Sequence, residues 1–295
     1  MPELRQLRSF VAIAEEGSLT KAGVRLHLAQ QSLSQQMRTL EAQVGAPLLV
    51  RSPRGVALTP VGTVLLREAR SILARAERGM DAVTLAAAGE RADLRVGFLS
   101  SVANALMPPL VREMRARHPG IALRTEDVTI AELVGGLRDG SLDAGVSRPP
   151  LVDDLATETL LREPVAAVLP EGHPLQDCES LALSDLAGEK WVLTRRSSWP
   201  PWHAQYDEDF ARAGFTPDVV ERGTSPQNLL ALVAAGVGIT RLSLSARTLR
   251  EGGVRFVPLR DETAQVVLVW RRDATLPGLT AMRDVARTVA SDITA

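Results

Sequence analysis

Near residue 90 the hydrophobic rhythm of this chain changes, and that change limits the available architectures more than any single motif does. Before it, apolar residues recur at three- and four-residue spacing, the period of helices. After it, short apolar runs alternate with helical stripes, the pattern of strands covered by helices. A 295-residue chain with one such switch is expected to form two or three folding units. The polar stretch Gly89-Glu90-Arg91-Ala92-Asp93 marks the expected boundary.

Within the first part, Leu4, Leu7, Phe10, Val11 and Ala14 form the stripe of one helix. Gly17 stops it, and Ser18 is a natural N-cap for a second helix carrying Leu19, Ala22 and Leu26 inward. A turn at His27-Leu28 leads to a third helix from about Ala29 to Val44, with Leu33, Met37, Leu40 and Val44 inward and Gly45 at its end. Two short apolar runs, Pro47–Val50 and Val56–Leu58, bracket Arg51-Ser52-Pro53-Arg54-Gly55 and predict a hairpin with basic shoulders, a wing. Thr59-Pro60 then opens a long helix, Thr as cap and Pro at the first position. Leu65, Ala69, Ile72, Ala76, Met80, Val83 and Ala87 trace a heptad-like seam along it, which predicts pairing of two such helices between subunits, weakened locally by Gly79.

Past the break, strands are expected over Leu94–Phe98, Ile121–Val128 and Leu142–Val146, with helices near Val102–Arg117 and Ala131–Asp139. A further set of strands is expected at Val165–Leu169, Trp191–Leu193, Asp218–Arg222 and Gly238–Thr240. Ala264–Trp270 reads as a returning strand and Leu276–Ile293 as a closing helix. Alternating β and α elements imply parallel-type sheets. The segment Ser197-Ser198-Trp199-Pro200-Pro201-Trp202, with Tyr206 nearby, stands out in a chain that is 3% aromatic. Packing inside the second lobe is its expected role; lining a ligand cleft is the alternative.

Charge is distributed unevenly. Residues 1–91 hold 12 Lys/Arg against 8 Asp/Glu, and the remainder 22 against 27, so a net +4 head precedes a −5 body. That asymmetry fits a head that meets phosphate. His27, His118, His173 and His203 are scattered, without the Cys/His spacing of a zinc site. Neither a phosphate-binding glycine loop nor a nucleophile motif is present, so no catalytic residue, metal or cofactor is assigned. The lone Cys178 fits a reducing compartment, and the absence of a long apolar run or signal-like start predicts a cytoplasmic protein without membrane contact.

The segment from Leu4 to Pro60 carries a resemblance that extends over the whole chain. Leu4–Phe10, Ala14-Glu15-Glu16-Gly17-Ser18-Leu19-Thr20-Lys21-Ala22, Ala29–Gln36, Leu40-Glu41, Val44–Leu49, Arg51, Arg54-Gly55 and Leu58–Gly62 resemble, in order, the LysR-type transcriptional regulators. Two positions depart from the family pattern: Gly23 stands where Ala is common, and Gln31 where Pro is frequent. The resemblance implies a multidomain α+β protein. Its parts are a winged helix-turn-helix over 1–59, a linker dimerisation helix over 60–89 and an effector domain over 92–295 like periplasmic solute-binding proteins. Subdomain I would span about 92–160 and 265–295, and subdomain II about 161–264. It further implies a homodimer or homotetramer on a pseudo-palindromic double-stranded operator, with RNA polymerase as a further partner.

A helix about 10–12 Å wide fits the major groove, where amide side chains can bond adenine edges twice. Gln30, Gln31 and Gln35 are the candidates for base contact, with Ser32, Ser34 and Arg38 reaching bases or phosphates. Ser18, Thr20, Arg51, Ser52 and Arg54 are better placed for the DNA backbone. In the body, effectors of open sheets gather where strands end and helices begin. Ser100, Ser101, Thr129, Ser147, Thr194, Thr224 and Ser225 put hydroxyls there, a set suited to a small organic acid, aromatic-derived acids included. Each is equally a helix cap. Arg148 and Arg195 could add charge but are expected to be exposed. The family's Leu229–Gly238 helix-to-strand passage ends here in Arg241-Leu242-Ser243 instead of an apolar-apolar-Pro turn. Rival readings are a solute-binding protein, an enzyme with a DNA-binding head, and a regulator without a small-molecule ligand.

Overall fold

The computed structural model describes residues 1–52, 55–87, 92–149, 151–250 and 252–294. Two compact units are distinguished, a head of Met1–Ala88, with which Arg138–Ser141 are grouped, and a body of Gly89–Leu137 and Leu142–Ala295.

In the head, α1 (Leu4–Glu16), α2 (Leu19–Leu26) and α3 (Gln30–Val44) precede a hairpin of β1 (Leu49–Ser52) and β2 (Gly55–Leu58), followed by α4 (Pro60–Ala87). Leu7, Phe10, Ile13, Leu19, Ala22, Leu33, Met37, Leu40 and Leu48 form one core. Two expected inward residues are exposed instead: Leu4 opens the first turn of α1, and Val44 sits in the last turn of α3. Gly17 and Gly45 close their helices at φ 58° and 78°, the left-handed cap conformation. Ser18 caps α2 by accepting from the Lys21 N–H. The seam on α4 divides. Its Leu65 and Ala69, with Leu73 beside the seam, pack on the head's own core, whereas Ile72, Met80 and Val83 stay exposed. The side chain of Ala87, the seam's last position, lies outside what is described.

The body is built on a six-stranded mixed sheet, in place of the expected parallel-type sheets. Its order is β4 (Ile121–Asp127), β3 (Ala92–Phe98), β5 (Ala144–Ser147), β10 (Val254–Arg271), β6 (Leu155–Pro170), β9 (Thr240–Ser243). β4, β3 and β5 run parallel, while β10 and β6 pair antiparallel along most of their length. A separate parallel pair joins β7 (Lys190–Thr194) to β8 (Asp218–Gly223). Helices α5 (Ser100–Arg117), α6 (Ile130–Asp139), α7 (Pro200–Arg212), α8 (Pro226–Ala234) and α9 (Pro277–Thr294) cover these sheets.

β6 and β10 explain why the body has more than one core. Leu155 and Leu161 of β6, with Val266, Leu268 and Val269 of β10, belong to a core shared with α5, α6 and α9. Further along the same strands, Val165, Ala167, Leu169, Val257 and Leu259 belong to a core centred on Trp191 and Phe210. Only the ends of these strands, Val165–Leu169 and Ala264–Trp270, are apparent in the sequence. The middle holds half-buried and exposed residues without an apolar/polar alternation in the sequence, and carries Pro164, Pro258 and Arg260-Asp261-Glu262. The register breaks between Pro258 and Thr263, where Asp261 takes φ 60°.

Candidate functional site

On the head, Leu33, Met37 and Leu40 turn one face of α3 into the core. Gln31, Ser34, Gln35 and Arg38 follow at spacings of three and four and therefore share the opposite face. Gln30, Gln31, Ser32, Gln35 and Arg38 are exposed and Ser34 is half-buried. Gln36 belongs to the fold, since its Oε1 accepts from the Ser9 hydroxyl at 2.7 Å and ties α3 to α1. Thr20 is exposed on the first turn of α2. Arg51 and Ser52 lie on β1, and Arg54 falls outside the described residues.

The frame that holds this face is polar as well as apolar. Glu41 Oε1 accepts from the Leu48 and Leu49 N–H groups, which pins the wing to the end of α3. Glu15 on α1 meets Arg25 of α2 and Arg70 of α4, each at 2.8 Å. Burial pushes the Glu15 carboxyl up, but hydrogen bonds and charge from Arg70 and Arg25 prevail and hold it below the ordinary glutamate value.

The body contains a cavity of about 500 Å³ at which four helices begin. Leu99, Ser100 and Ser101 line it from the start of α5, and Val128, Thr129 and Ile130 from the start of α6. Ser198 and Trp199 precede α7, and Thr224, Ser225 and Pro226 open α8. Helix termini present N–H groups and the positive end of the helix dipole, a setting for an anion, although α7 opens on Pro200-Pro201, which have no N–H, and its Trp202 and His203 N–H groups already donate to the Trp199 carbonyl. Six of the seven expected effector residues, Ser100, Ser101, Thr129, Thr194, Thr224 and Ser225, line this one cavity.

Several of these are also caps. Thr129 N–H and hydroxyl both donate to Glu132 at 2.8 Å, which lowers the Glu132 carboxyl below its ordinary value. Ser225 accepts from the Asn228 N–H. The Thr194 hydroxyl lies 3.3 Å from His203 Nε2. Burial holds His203 below the usual histidine value, and its Nε2 also faces the Arg195 carbonyl at 2.8 Å.

Three expectations need correction. Ser147 does not line the cavity: it is wholly buried in β5, paired with Val267, and its hydroxyl donates to the Arg148 carbonyl. Arg148, expected outside, is buried, because Glu163 of β6 and Ser243 of β9 receive its guanidinium; Arg195 is exposed as expected. The aromatic segment does both things expected of it: Trp199, Trp202 and Tyr206 line the cavity and Tyr206 packs on the Trp191/Phe210 core of the second lobe, but Trp199 packs on the α5/α6/α9 core.

Several polar lining residues were missed as site residues, Gln205, Asp209, Thr240, Ser243 and, above all, Arg241. Arg241 in β9 is buried and lines the cavity, with its Nη2 2.9 Å from both Asp209 and Glu262. Its guanidinium carbon lies 4.5 Å from the Tyr206 ring centre, a cation–π stack. The signal was present in the sequence, a charge inside an otherwise apolar helix-to-strand passage. Arg148 Nη1, the Thr240 hydroxyl, and Arg241 Nε and Nη1 are all buried without a hydrogen-bond partner, and all belong to cavity-lining residues. Buried polar atoms are normally satisfied, and these four leave unused hydrogen-bonding capacity at the cavity; Trp191 Nε1 and Glu262 Oε2 are buried without a hydrogen-bond partner as well, outside its lining.

Among the described residues, no group of three or more His, Cys, Asp or Glu side chains is placed to hold a metal ion, and no helix is long and apolar enough to cross a membrane. Residues 4–63 match the bacterial regulatory helix-turn-helix protein of the lysR family, and residues 87–291 match the LysR substrate binding domain. The chain belongs to the LysR family. It is 34% identical over 274 residues to the HTH-type transcriptional regulator AlsR of Bacillus subtilis, covering 92% of this chain and 91% of that protein. Identity to BenM of Acinetobacter baylyi is 32% over 265 residues, covering 89% and 87% of the two chains. The crystal structure of CbnR, a LysR family transcriptional regulator, superposes with a TM-score of 0.77 at 26% identity, covering 98% and 99%. Full-length CbnR complexed with its target DNA gives 0.75 at 26% identity, covering 97% and 99%. This LysR-type regulator is thus a DNA-binding transcription regulator with a substrate-binding domain through which a small-molecule effector acts.

Proposed function

We propose that this regulator senses a small organic acid in the body cavity and reads its operator with the exposed face of α3. The observation that carries the acid is the meeting of the α5, α6 and α8 N-termini with buried, unpartnered guanidinium N–H groups at one cavity. Trp199, Trp202 and Tyr206 supply a wall for a flat or unsaturated skeleton, which favours aromatic-derived acids. Thermal-shift titration of the full chain against benzoate, muconate and other small acids tests the reading. A rise in melting temperature with at least one acid is expected, and no shift with any of them removes it.

On the DNA side, Gln30, Gln31 and Gln35 contact base edges, Ser32, Ser34 and Arg38 contact bases or phosphates, and Ser18, Thr20, Arg51, Ser52 and Arg54 hold the backbone. The domains run 1–59, 60–89 and 92–295, with lobes of the last dividing near 160 and 265. The exposed residues of α4 pair two chains into a homodimer or homotetramer, placing two heads on a pseudo-palindromic site. The protein acts in the cytoplasm, without catalysis, and RNA polymerase is the partner through which bound protein alters transcription.

A further inference from the structure

Strand β10 crosses from one core of the body to another through residues 259–262. These stand opposite Val165 alone, because Pro258 pairs with Ala166 and Thr263 already with Pro164. The two prolines have no N–H to give the ladder, and Asp261 takes the left-handed φ of 60°. Side-chain and loop contacts hold the stretch instead. The Arg260 N–H donates to the Leu181 carbonyl at 2.8 Å. Glu262 comes within 2.9 Å of Arg241 Nη2, which also donates to Asp209 of α7 at 2.9 Å. With the Tyr206 ring stacked on Arg241, the cluster joins α7, β9 and the crossing stretch of β10.

This cluster is unbalanced. Two carboxylates approach one Nη2, and only Asp209 forms a hydrogen bond with it; Glu262 Oε2 is buried without a hydrogen-bond partner. Yet 20% of the Glu262 side chain reaches solvent, a way out that Arg241, at 8%, lacks. The surrounding charges come from three elements. β9 supplies Arg241, and α7 supplies Asp209, the Tyr206 phenol and the exposed Arg212, 3.3 Å from Asp209. On β6, Glu163 answers Arg148 and Arg162 lines a separate cavity, while Arg260 of β10 itself is turned to Asp185. Burial outweighs the pull of Arg241 on the Glu262 carboxyl, Asp209 adds to the rise and Arg212 opposes it, so the carboxyl stands above its ordinary value.

We propose that Glu262 is a proton-operated latch on this crossing: protonated, it stays in the cluster and holds residues 259–262 in place, and ionised, it swings to solvent and frees them. A carboxyl that is more basic when buried binds its proton more tightly in the closed latch than in the open one. Closure is therefore favoured as pH falls through the raised value and opposed as pH rises through it. The joint between two cores thereby takes a proton as an input, separate from any guest in the cavity.

Hydrogen–deuterium exchange of the full chain, followed at the Arg260 amide from about pH 4.5 to about pH 8, tests the latch, with protection taken relative to the unfolded chain at the same pH. Protection is expected to fall about threefold or more across that range, because opening sheds a proton that closure holds. Glu262→Gln, neutral and of the same shape, is expected to keep protection at its acid level throughout. Glu208→Gln, at an exposed position of α7, is expected to follow the unaltered protein. Asp209→Asn removes a like charge and is expected to move the fall to lower pH. A level profile in the unaltered protein, a fall that persists in Glu262→Gln, its loss in Glu208→Gln, or a fall unmoved in Asp209→Asn overturns the latch.

Discussion

Gly62 and Glu41 decide how tightly the wing is held against the helices. A Cβ at Gly62 would lie 2.1 Å from the Leu48 carbonyl oxygen, so the first turn of α4 rests directly on the backbone entering β1. Thr59 caps that turn by accepting from the Gly62 N–H at 2.9 Å while its hydroxyl donates to the Pro47 carbonyl. Gly62→Ala is therefore expected to destabilise the protein by about 1–3 kcal/mol, the usual range for forced overpacking. Glu41→Ala removes a charged acceptor from two backbone N–H groups and should cost about 1.5–3 kcal/mol. Urea denaturation of each variant checks both, and an unchanged midpoint would contradict the geometry. Glu15 offers a pH-dependent counterpart. Its folded carboxyl is held below the ordinary value, so its ion pairs stabilise the fold above the unfolded value of about 4.3 and fail as pH falls through the folded one. Glu15→Gln should lower the melting temperature at pH 7 and show a shrinking deficit as pH falls below about 4.3. At this scale Gly62 and Glu41 were visible only as family matches, because the carbonyl and amides they meet come from elsewhere in the chain.

For α3, sequence and structure coincide except at Val44 in its last turn, which is exposed. Three buried residues at helical spacing force the amide face outward, whatever surrounds the helix. Gln31→Ala is expected to relax base preference while leaving affinity for random duplex nearly unchanged, measured by competition binding; equal losses on specific and random DNA would contradict base contact. α4 was read less accurately. Its heptad-like spacing is real, but the first half of the seam is used on the head's own core, leaving Ile72, Met80 and Val83 exposed, the residues proposed above to pair with another copy. Met80→Glu with Val83→Glu should shift the protein toward monomer in sedimentation measurements. β6 and β10 were half-missed, since a strand that passes from one core to another is exposed in between and loses the alternation by which strands are recognised.

Taken as a whole, the molecule must couple two sites. Coupling is reciprocal in free energy, so an effector that changes operator affinity must have its own affinity changed by operator by the same factor. Effector titrations with and without operator duplex are expected to differ by about 5–150-fold, the range of ordinary allosteric coupling. Identical constants would mean that binding in the cavity does not control the head. Local spacing alone specified the helices of the head, the wing, the strand–helix alternation of the body and the hydroxyls at strand ends, because each depends on residues a few positions apart. Tertiary structure alone decided that Arg148 and Arg241 are buried at the cavity floor. Arginine reads as a surface residue until its acids are located, and Glu163 lies 15 residues from Arg148 while Asp209 lies 32 from Arg241. Desolvating a cation is tolerable only beside such partners, and chain folding, which no local pattern encodes, brings them together.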